Sequence, residues 1–132
     1  MDADIADIER LAIFVLDSDY MREDGATWRA FLPDKHSGER SFYRVDGLDF
    51  CDIAAIGQVV ASTRAPKTLR GWAIITAIEV RKLQGLQLKI DEPPDRHGVI
   101  HSWPPEKEDM RSFAQSLADA ITTTTIRFPF AP

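Results

Sequence analysis

The sequence predicts a single-domain α+β protein, in which a mostly antiparallel sheet of about six short strands carries three helices largely on one face. The chain has 132 residues, a common length for one domain, and no linker divides it, so residues 1–132 are treated as one unit. Strand-like stretches rich in branched and aromatic residues and stretches with helical periodicity follow one another without a regular order. A doubly wound parallel sheet would show a more regular alternation of strands and helices.

The N-terminal third predicts three strands. An apolar block favours a strand over about 10–16 after a short helical or irregular start, although the same residues also fit a helical stripe. Residues 27–32 and 40–45 are rich in aromatic and branched side chains, and turn-forming residues separate them. The pattern predicts an antiparallel hairpin with a long tip.

Two helices and a strand are predicted in the middle of the chain. Asp49 is placed to cap the first long helix. Residues 70–75 follow as a strand. Thr76 and Glu79 then have the spacing of a capping box, which predicts a short helix over 77–84.

The C-terminal third predicts three strands and the longest helix. Residues 86–91 alternate between apolar and polar side chains, and 97–103 has a branched centre, so both are predicted strands. Pro104 and Pro105 open a helix with a regular apolar stripe. A β-branched tail strand is predicted over 122–128.

Charge and cysteine content narrow the function classes. The net charge is −5, with 16 basic and 21 acidic residues interspersed, which disfavours a nucleic-acid partner. The densest basic stretch, around Arg64, Lys67 and Arg70, is only a weak patch. Cys51 is the one cysteine, so no intrachain disulfide can form, and a reducing, cytoplasmic location is predicted. No apolar run is long enough to predict a membrane span.

Metal binding is not predicted. His97 and His101 lie on a predicted strand, where their side chains share a face but stand ~13 Å apart. One ion cannot bind both, and the remaining histidine, His36, lies on a predicted loop. No glycine-rich phosphate loop or dinucleotide fingerprint is present, so no cofactor is predicted.

A charged turn contains the first candidate catalytic group. Its residues are Asp91, Glu92, Asp95, Arg96 and His97. A carboxylate beside a histidine can orient the imidazole for acid/base work, but the same composition is also typical of a solvated turn. No nucleophile elbow accompanies the turn, because Ser62 and Ser102 lack its flanking glycines.

Aromatic and basic residues form the candidate binding groups. Trp72 and Trp103 stand at the ends of predicted strands and fit either interface anchors or half-buried core residues. Arg96 and Arg70 are the associated candidate binding cations. The hairpin aromatics and arginines could stack on a base or clamp a phosphate, although one apolar and one charged face is the common alternative. This hairpin group consists of Trp28, Arg29, Ser41, Tyr43 and Arg44.

Several short runs resemble a group of small uncharacterised bacterial proteins. The matching pieces are residues 76–86, 91–94, 96–100, 103–104 and 41–44, which together would cover about residues 27–121. The group's recurrent ending is a proline-rich turn, a His-Ala-x-Ile-x-Gly-Trp-Pro strand and an amphipathic helix. Ser102 departs from the group's usual glycine, and His101 is not part of the shared pattern. The resemblance implies kinship and no known activity.

Three functions remain open at this point. The leading hypothesis is a non-catalytic accessory protein that binds another protein, encoded beside a larger effector in a bacterial stress or defence operon. The second is a small hydrolytic enzyme with His97 as acid/base, Arg44 or Arg96 holding an anionic group, and Tyr43 in the same cleft. The third is RNA or single-stranded nucleic-acid binding. A homo-oligomer is compatible with each.

Overall fold

A six-stranded antiparallel sheet organises the protein. The computed structural model describes residues 4–17, 20–22 and 25–125. The strands are β1 (Arg10–Val15), β2 (Met21–Arg22), β3 (Gly25–Ala26), β4 (Arg40–Arg44), β5 (Gly71–Thr76), β6 (Gln87–Ile90), β7 (His97–His101) and β8 (Thr123–Thr125). The helices are a 3-10 helix (Trp28–Phe31), α1 (Phe50–Ser62), α2 (Ala77–Arg81) and α3 (Lys107–Asp119).

The strand order of the sheet is β6-β7-β4-β1-β5-β8, and every neighbouring pair is antiparallel. β1 and β5 share the longest register, from Arg10 opposite Thr76 to Val15 opposite Gly71. β2 and β3 form a separate two-stranded sheet. The predicted α+β class is confirmed.

Helices cover both faces of this sheet. On one face, Leu11 and Ile13 join a buried cluster with α2, α3 and the 3-10 helix, and we call this the α3 face. On the other, Ala12 and Phe14 join a cluster with Ile53 of α1, and we call this the α1 face. Two of the three α-helices therefore lie on one face, and α1 lies alone on the other.

Asp49 caps α1, as predicted. Its carboxylate accepts a hydrogen bond from the backbone N–H of Asp52 at 2.9 Å, and the Asp52 carboxylate accepts from the Asp49 N–H at 3.3 Å. The two aspartates form a reciprocal cap that satisfies donors at the start of the helix. α1 then buries Ile53, Gly57 and Ala61 against the sheet.

The predicted strand over 27–32 is wrong, and so is the hairpin built on it. Trp28–Phe31 forms a 3-10 helix that turns Ala30 and Phe31 into the core beside α3. β4 pairs with β1 and β7 instead. Aromatic residues favour strands only where they face a sheet neighbour, and here packing against α3 overrides that preference.

The capping box predicted at Thr76 is also absent. α2 begins after Thr76, but the Thr76 side chain makes no cap hydrogen bond, and the Glu79 carboxylate accepts from Lys82 instead, at 3.1 Å. The first N–H groups of α2 donate to the backbone carbonyls of Asp7 and Glu9. Because tertiary contacts already satisfy these donors, a side-chain cap is not needed.

The remaining predicted elements agree with the structure within a few residues. β1, β5, β6, β7 and α3 lie where the patterns placed them. The tail strand is observed as β8, and its predicted continuation over 126–128 lies outside the described residues. Across the described ranges, no helix combines the length and apolar character needed to cross a bilayer.

Candidate functional site

His97 and Tyr43 meet on the α1 face of the sheet. The β4–β7 register places the two residues directly opposite each other, and their ring centroids lie 5.2 Å apart. The His97 side chain is 13% exposed, so it keeps a small solvent-accessible surface. The structure thus brings together two of the three predicted catalytic residues.

Both imidazole nitrogens of His97 have hydrogen-bond partners. Nδ1 lies 2.8 Å from the backbone carbonyl oxygen of Asp91, and Nε2 lies 3.1 Å from the hydroxyl of Ser41. A carbonyl oxygen can only accept, so Nδ1 carries the proton and donates it. Nε2 of the neutral ring is then unprotonated and accepts the hydrogen bond from Ser41.

The Asp91 side chain adds a carboxylate to the same nitrogen. Its Oδ2 lies 3.7 Å from His97 Nδ1, beyond hydrogen-bond distance but close enough to stabilise a positive imidazolium. Ser41, His97 and Asp91 are thereby arranged as a hydroxyl, a base and an orienting residue. Together we call them the Ser41 triad.

The sequence does not mark Ser41 as a nucleophile. It groups Ser41 with Tyr43 and Arg44 in a predicted stacking or phosphate-binding surface. Its role depends on β4 pairing with β7, where it lies diagonally from His97 and opposite Val99. The predicted hairpin pairs residues 40–45 with 27–32. That pairing gives no reason to place Ser41 beside His97.

Tyr43 supports the histidine by packing. Its side chain is 9% exposed and also contacts Phe14 edge-on, with 5.7 Å between ring centroids. Burial raises the pKa of the Tyr43 phenol above its usual value, so the phenol remains protonated. The ring limits the rotation of the imidazole beside it.

Arg44 does not join His97 and Tyr43, and that predicted constellation is wrong. Successive side chains of a strand point to opposite faces, so Arg44 lies on the α3 face, opposite Leu11. Its guanidinium binds both carboxylate oxygens of Glu9, one of them at an Nη2–Oε1 distance of 3.0 Å. An anionic ligand at His97 would not reach it.

Arg96 holds the turn between β6 and β7. Its backbone adopts a left-handed conformation with φ of 70°. The guanidinium donates to the carbonyl oxygens of Arg44 and Asp46, both at 3.3 Å, and the backbone N–H donates to Glu92 Oε2 at 2.8 Å. Arg96 therefore positions the turn that carries Asp91.

The two predicted tryptophan anchors face the core. Trp72 is 1% exposed and packs against Phe14 and Phe50 on the α1 face, so it cannot contact a partner in the folded protein. Trp103 is half-buried, and its indole N–H donates to the Ile100 carbonyl at 3.1 Å. Arg70 is exposed beside β5.

The histidines do not converge on an ion site. In the described part of the chain, no group of three or more histidine, cysteine, aspartate or glutamate side chains is placed to hold a metal. His97 hydrogen-bonds to Ser41, whereas His101 Nδ1 lies 2.9 Å from the Ser102 hydroxyl.

The Ser41 triad lies where the helical cover of the sheet ends. Among the described residues, β6 and β7 contribute nothing to the α1-face cluster. Their α1-face side chains include exposed Gln87 and Lys89, half-buried His101 and buried Val99. We call this surface of β4, β6 and β7 the open face, and Ser41 beside it is half-buried.

Comparison of the chain with protein-family models, with curated proteins and with solved structures found no match in any of the three. The resemblance to the bacterial group therefore stays a prediction.

Proposed function

We propose that the protein is a small hydrolase that cleaves an activated acyl compound, such as an ester, through a covalent Ser41 intermediate. The observation that carries this proposal is the Ser41 hydroxyl hydrogen-bonded to His97 Nε2 at 3.1 Å, with the opposite nitrogen held by Asp91. This distance is within the reach expected of a nucleophile and its base.

The reaction follows from these contacts. Ser41 Oγ attacks the carbonyl carbon while its proton moves to His97 Nε2, and the imidazolium formed is stabilised by the nearby Asp91 carboxylate. His97 then gives the proton to the departing alcohol as the ester C–O bond breaks. In the second half, His97 accepts a proton from water, the hydroxide attacks the acyl-serine, and the released Ser41 oxygen takes the proton back.

The Asp91 residue acts mainly through its backbone. Its carbonyl, and not its carboxylate, receives the hydrogen bond that fixes the histidine tautomer. An Asp91→Asn variant therefore keeps the tautomer and loses only the charge that stabilises the imidazolium. We expect a smaller loss of activity from this variant than from removing Ser41 or His97.

The test compares purified wild-type protein with Ser41→Ala, His97→Ala and Asp91→Asn on 4-methylumbelliferyl esters. Ser41→Ala and His97→Ala should each lower kcat/KM by about a hundredfold or more. Ser62→Ala is the matched control, because Ser62 lies on α1 and its hydroxyl bonds the Val59 carbonyl. Mass spectrometry after treatment with a fluorophosphonate should find the adduct on Ser41. Equal hydrolysis by wild type and Ser41→Ala would reject the proposal.

We also propose a second candidate function, a cytoplasmic accessory protein that binds another protein, encoded with a bacterial effector. The observation that favours it is Trp28, which is half-buried, with the guanidinium carbons of Arg111 and Arg29 at 4.7 and 5.5 Å from its ring centroid. Tryptophan and arginine are the residues that most often dominate binding energy at interfaces. Trp28 thus replaces the buried Trp72 as the candidate anchor.

Affinity capture from a nuclease-treated native lysate tests this second function. Wild-type protein should retain one partner at near-stoichiometric yield, and Trp28→Ala should lose it. Ile8→Ala, a change at an 82% exposed apolar side chain, is the control. If wild type and Trp28→Ala capture the same proteins, the Trp28 surface is not the binding site. A partner that is captured only when the nuclease is omitted would point to nucleic acid as the ligand.

A further inference from the structure

We infer that Trp28, Arg29 and Arg111 bind a short acidic segment of a partner protein, and we call these three residues the Trp28 cluster. This inference rests on the second proposed function, the binding of another protein. It names the chemistry of the partner at the same surface, and it does not depend on Ser41.

The Trp28 cluster brings together side chains from two elements. Trp28 and Arg29 lie on the 3-10 helix, which packs against α3, and Arg111 lies in the second turn of α3. The guanidinium carbons of Arg111 and Arg29 lie 4.7 and 5.5 Å from the centroid of the Trp28 ring. Because both distances start from one centroid, the two guanidinium carbons are at most about 10 Å apart. One short peptide can therefore reach both charges.

Both guanidinium groups of the cluster keep their hydrogen-bond donors available. Arg29 and Arg111 are exposed, and within the described ranges neither side chain forms a hydrogen bond or an ion pair. Arg10, Arg44 and Arg81 differ from them, because each of these binds a carboxylate of the same chain. The two arginines of the cluster are thus available to carboxylates from outside.

Stacking on the indole prepares the two arginines for carboxylates. A guanidinium that rests on an aromatic ring keeps its planar set of N–H donors, and the ring restricts side-chain freedom that binding would otherwise remove. A carboxylate can accept two parallel hydrogen bonds from such a group. Trp28 is half-buried, so part of the indole remains for contact with an apolar side chain of the ligand. The cluster fits a peptide in which carboxylates flank an apolar residue.

The charge around the cluster favours a short acidic peptide over a nucleic acid. The protein has a net charge of −5, and the start of α3 carries three carboxylates, Glu106, Glu108 and Asp109, against one lysine, Lys107. A long polyanion bound at Arg111 would also meet this negative helix start and be repelled. A short acidic segment can bind the two arginines without extending along α3.

The experiment follows the indole N–H signals of ¹⁵N-labelled protein during titration with a blocked Asp-Leu-Asp-Leu-Asp peptide. In an extended chain, alternate carboxylates share one side and lie ~7 Å apart, which is within the span of the two guanidinium carbons. The peptide should shift the Trp28 signal until it saturates and leave the signal of Trp72, which is 1% exposed, in place. The matched Asn-Leu-Asn-Leu-Asn peptide should shift neither.

Variants at the exposed arginines test the assignment. Arg29→Gln and Arg111→Gln should each weaken binding by about two- to fivefold at low ionic strength, as expected for the loss of one exposed ion pair. Arg70→Gln, at an exposed arginine beside β5, is the control and should bind as wild type does. Equal binding of the acidic and amide peptides, or equal binding by wild type and Arg29→Gln/Arg111→Gln, would overturn the inference.

Two parallel measurements test other occupants of the surface. Tighter binding of a ten-nucleotide oligothymidylate than of the acidic peptide, with an affinity that falls steeply with salt, would assign the cluster to nucleic acid and overturn the inference. A dimer in size-exclusion chromatography that Trp28→Ala dissociates would assign it to a second copy of the chain, with the same consequence.

Affinity capture distinguishes failure of this inference from failure of the partner-binding function. A partner that is lost in Trp28→Ala but kept by Arg29→Gln/Arg111→Gln would overturn the acidic-peptide assignment and leave partner binding at Trp28 standing. If no partner depends on Trp28 and the acidic peptide leaves the Trp28 signal in place, both are rejected.

Discussion

Glu9 and Arg44 form the ion pair that joins the entry of β1 to the end of β4. Glu9 is 8% exposed, and the Arg44 guanidinium binds both of its carboxylate oxygens. Hydrogen bonding to Glu9 raises the pKa of Arg44 above its already high usual value. A raised pKa in the folded state stabilises the fold at pH values below the unfolded pKa, so this contribution is fully present at neutral pH.

Replacing Arg44 should therefore affect stability and not catalysis. Arg44→Met should lower the free energy of unfolding by about 1–3 kcal/mol, because the Glu9 carboxylate loses its partner in a buried position. Urea unfolding followed by circular dichroism measures the change. Arg70→Met, at an exposed arginine, should change it by less than about 0.5 kcal/mol.

The two outcomes at Arg44 also separate its structural role from the catalytic role predicted from the sequence. Folded Arg44→Met should hydrolyse esters at the wild-type rate. If its hydrolysis fell as far as that of His97→Ala while its stability matched Arg70→Met, the ion pair would not be its main role.

At the scale of elements, the packing of α1 on the sheet depends on Gly57. A methyl group added at Gly57 would lie 2.8 Å from Leu69 Cδ2 and 2.8 Å from Phe14 Cε1. Both neighbours are buried, so neither can move away freely. The glycine thus lets α1 approach β1 closely, and this contact also fixes the Phe14 ring against Tyr43.

Gly57→Ala should have two opposing effects on the free energy of unfolding, one from helix propensity and one from packing. Alanine should favour an α-helix by about 1 kcal/mol, but forcing a methyl group into a filled interface costs about 1–3 kcal/mol. We expect a net loss of about 1 kcal/mol in thermal or urea unfolding. Gln58→Ala, on the exposed side of the same helix, is the control. A stabilised Gly57→Ala variant would show that α1 has room to shift.

Sequence patterns predicted the elements whose signals are local. Alternation located β6, an apolar stripe located α3, and Asp49 marked the start of α1. They failed at residues 28–31, because contact with α3 makes this segment helical despite its strand-like composition. They failed again at Thr76, where backbone carbonyls distant in sequence satisfy the helix donors.

At the scale of the whole molecule, the sheet order determines what the sequence could not show. β4 lies between β7 and β1, which are far from it in the chain and from each other. His97 was identified from its own turn, but its contact with Ser41 depends on a register between strands 56 residues apart. Strand alternation likewise separates Arg44 from Tyr43, although they are neighbours in sequence. Local sequence can identify a candidate residue such as His97. Which side chains it meets depends on the order and register of the strands.

The distribution of the three tryptophans has an optical consequence. Trp72 is enclosed between the sheet and α1, whereas Trp28 and Trp103 pack on the α3 face. Because indole emission moves to longer wavelength when water reaches the ring, a protein with phenylalanine at positions 28 and 103 would fluoresce from Trp72 alone. Its spectrum would then report when α1 leaves the sheet, independently of events on the other side of the molecule.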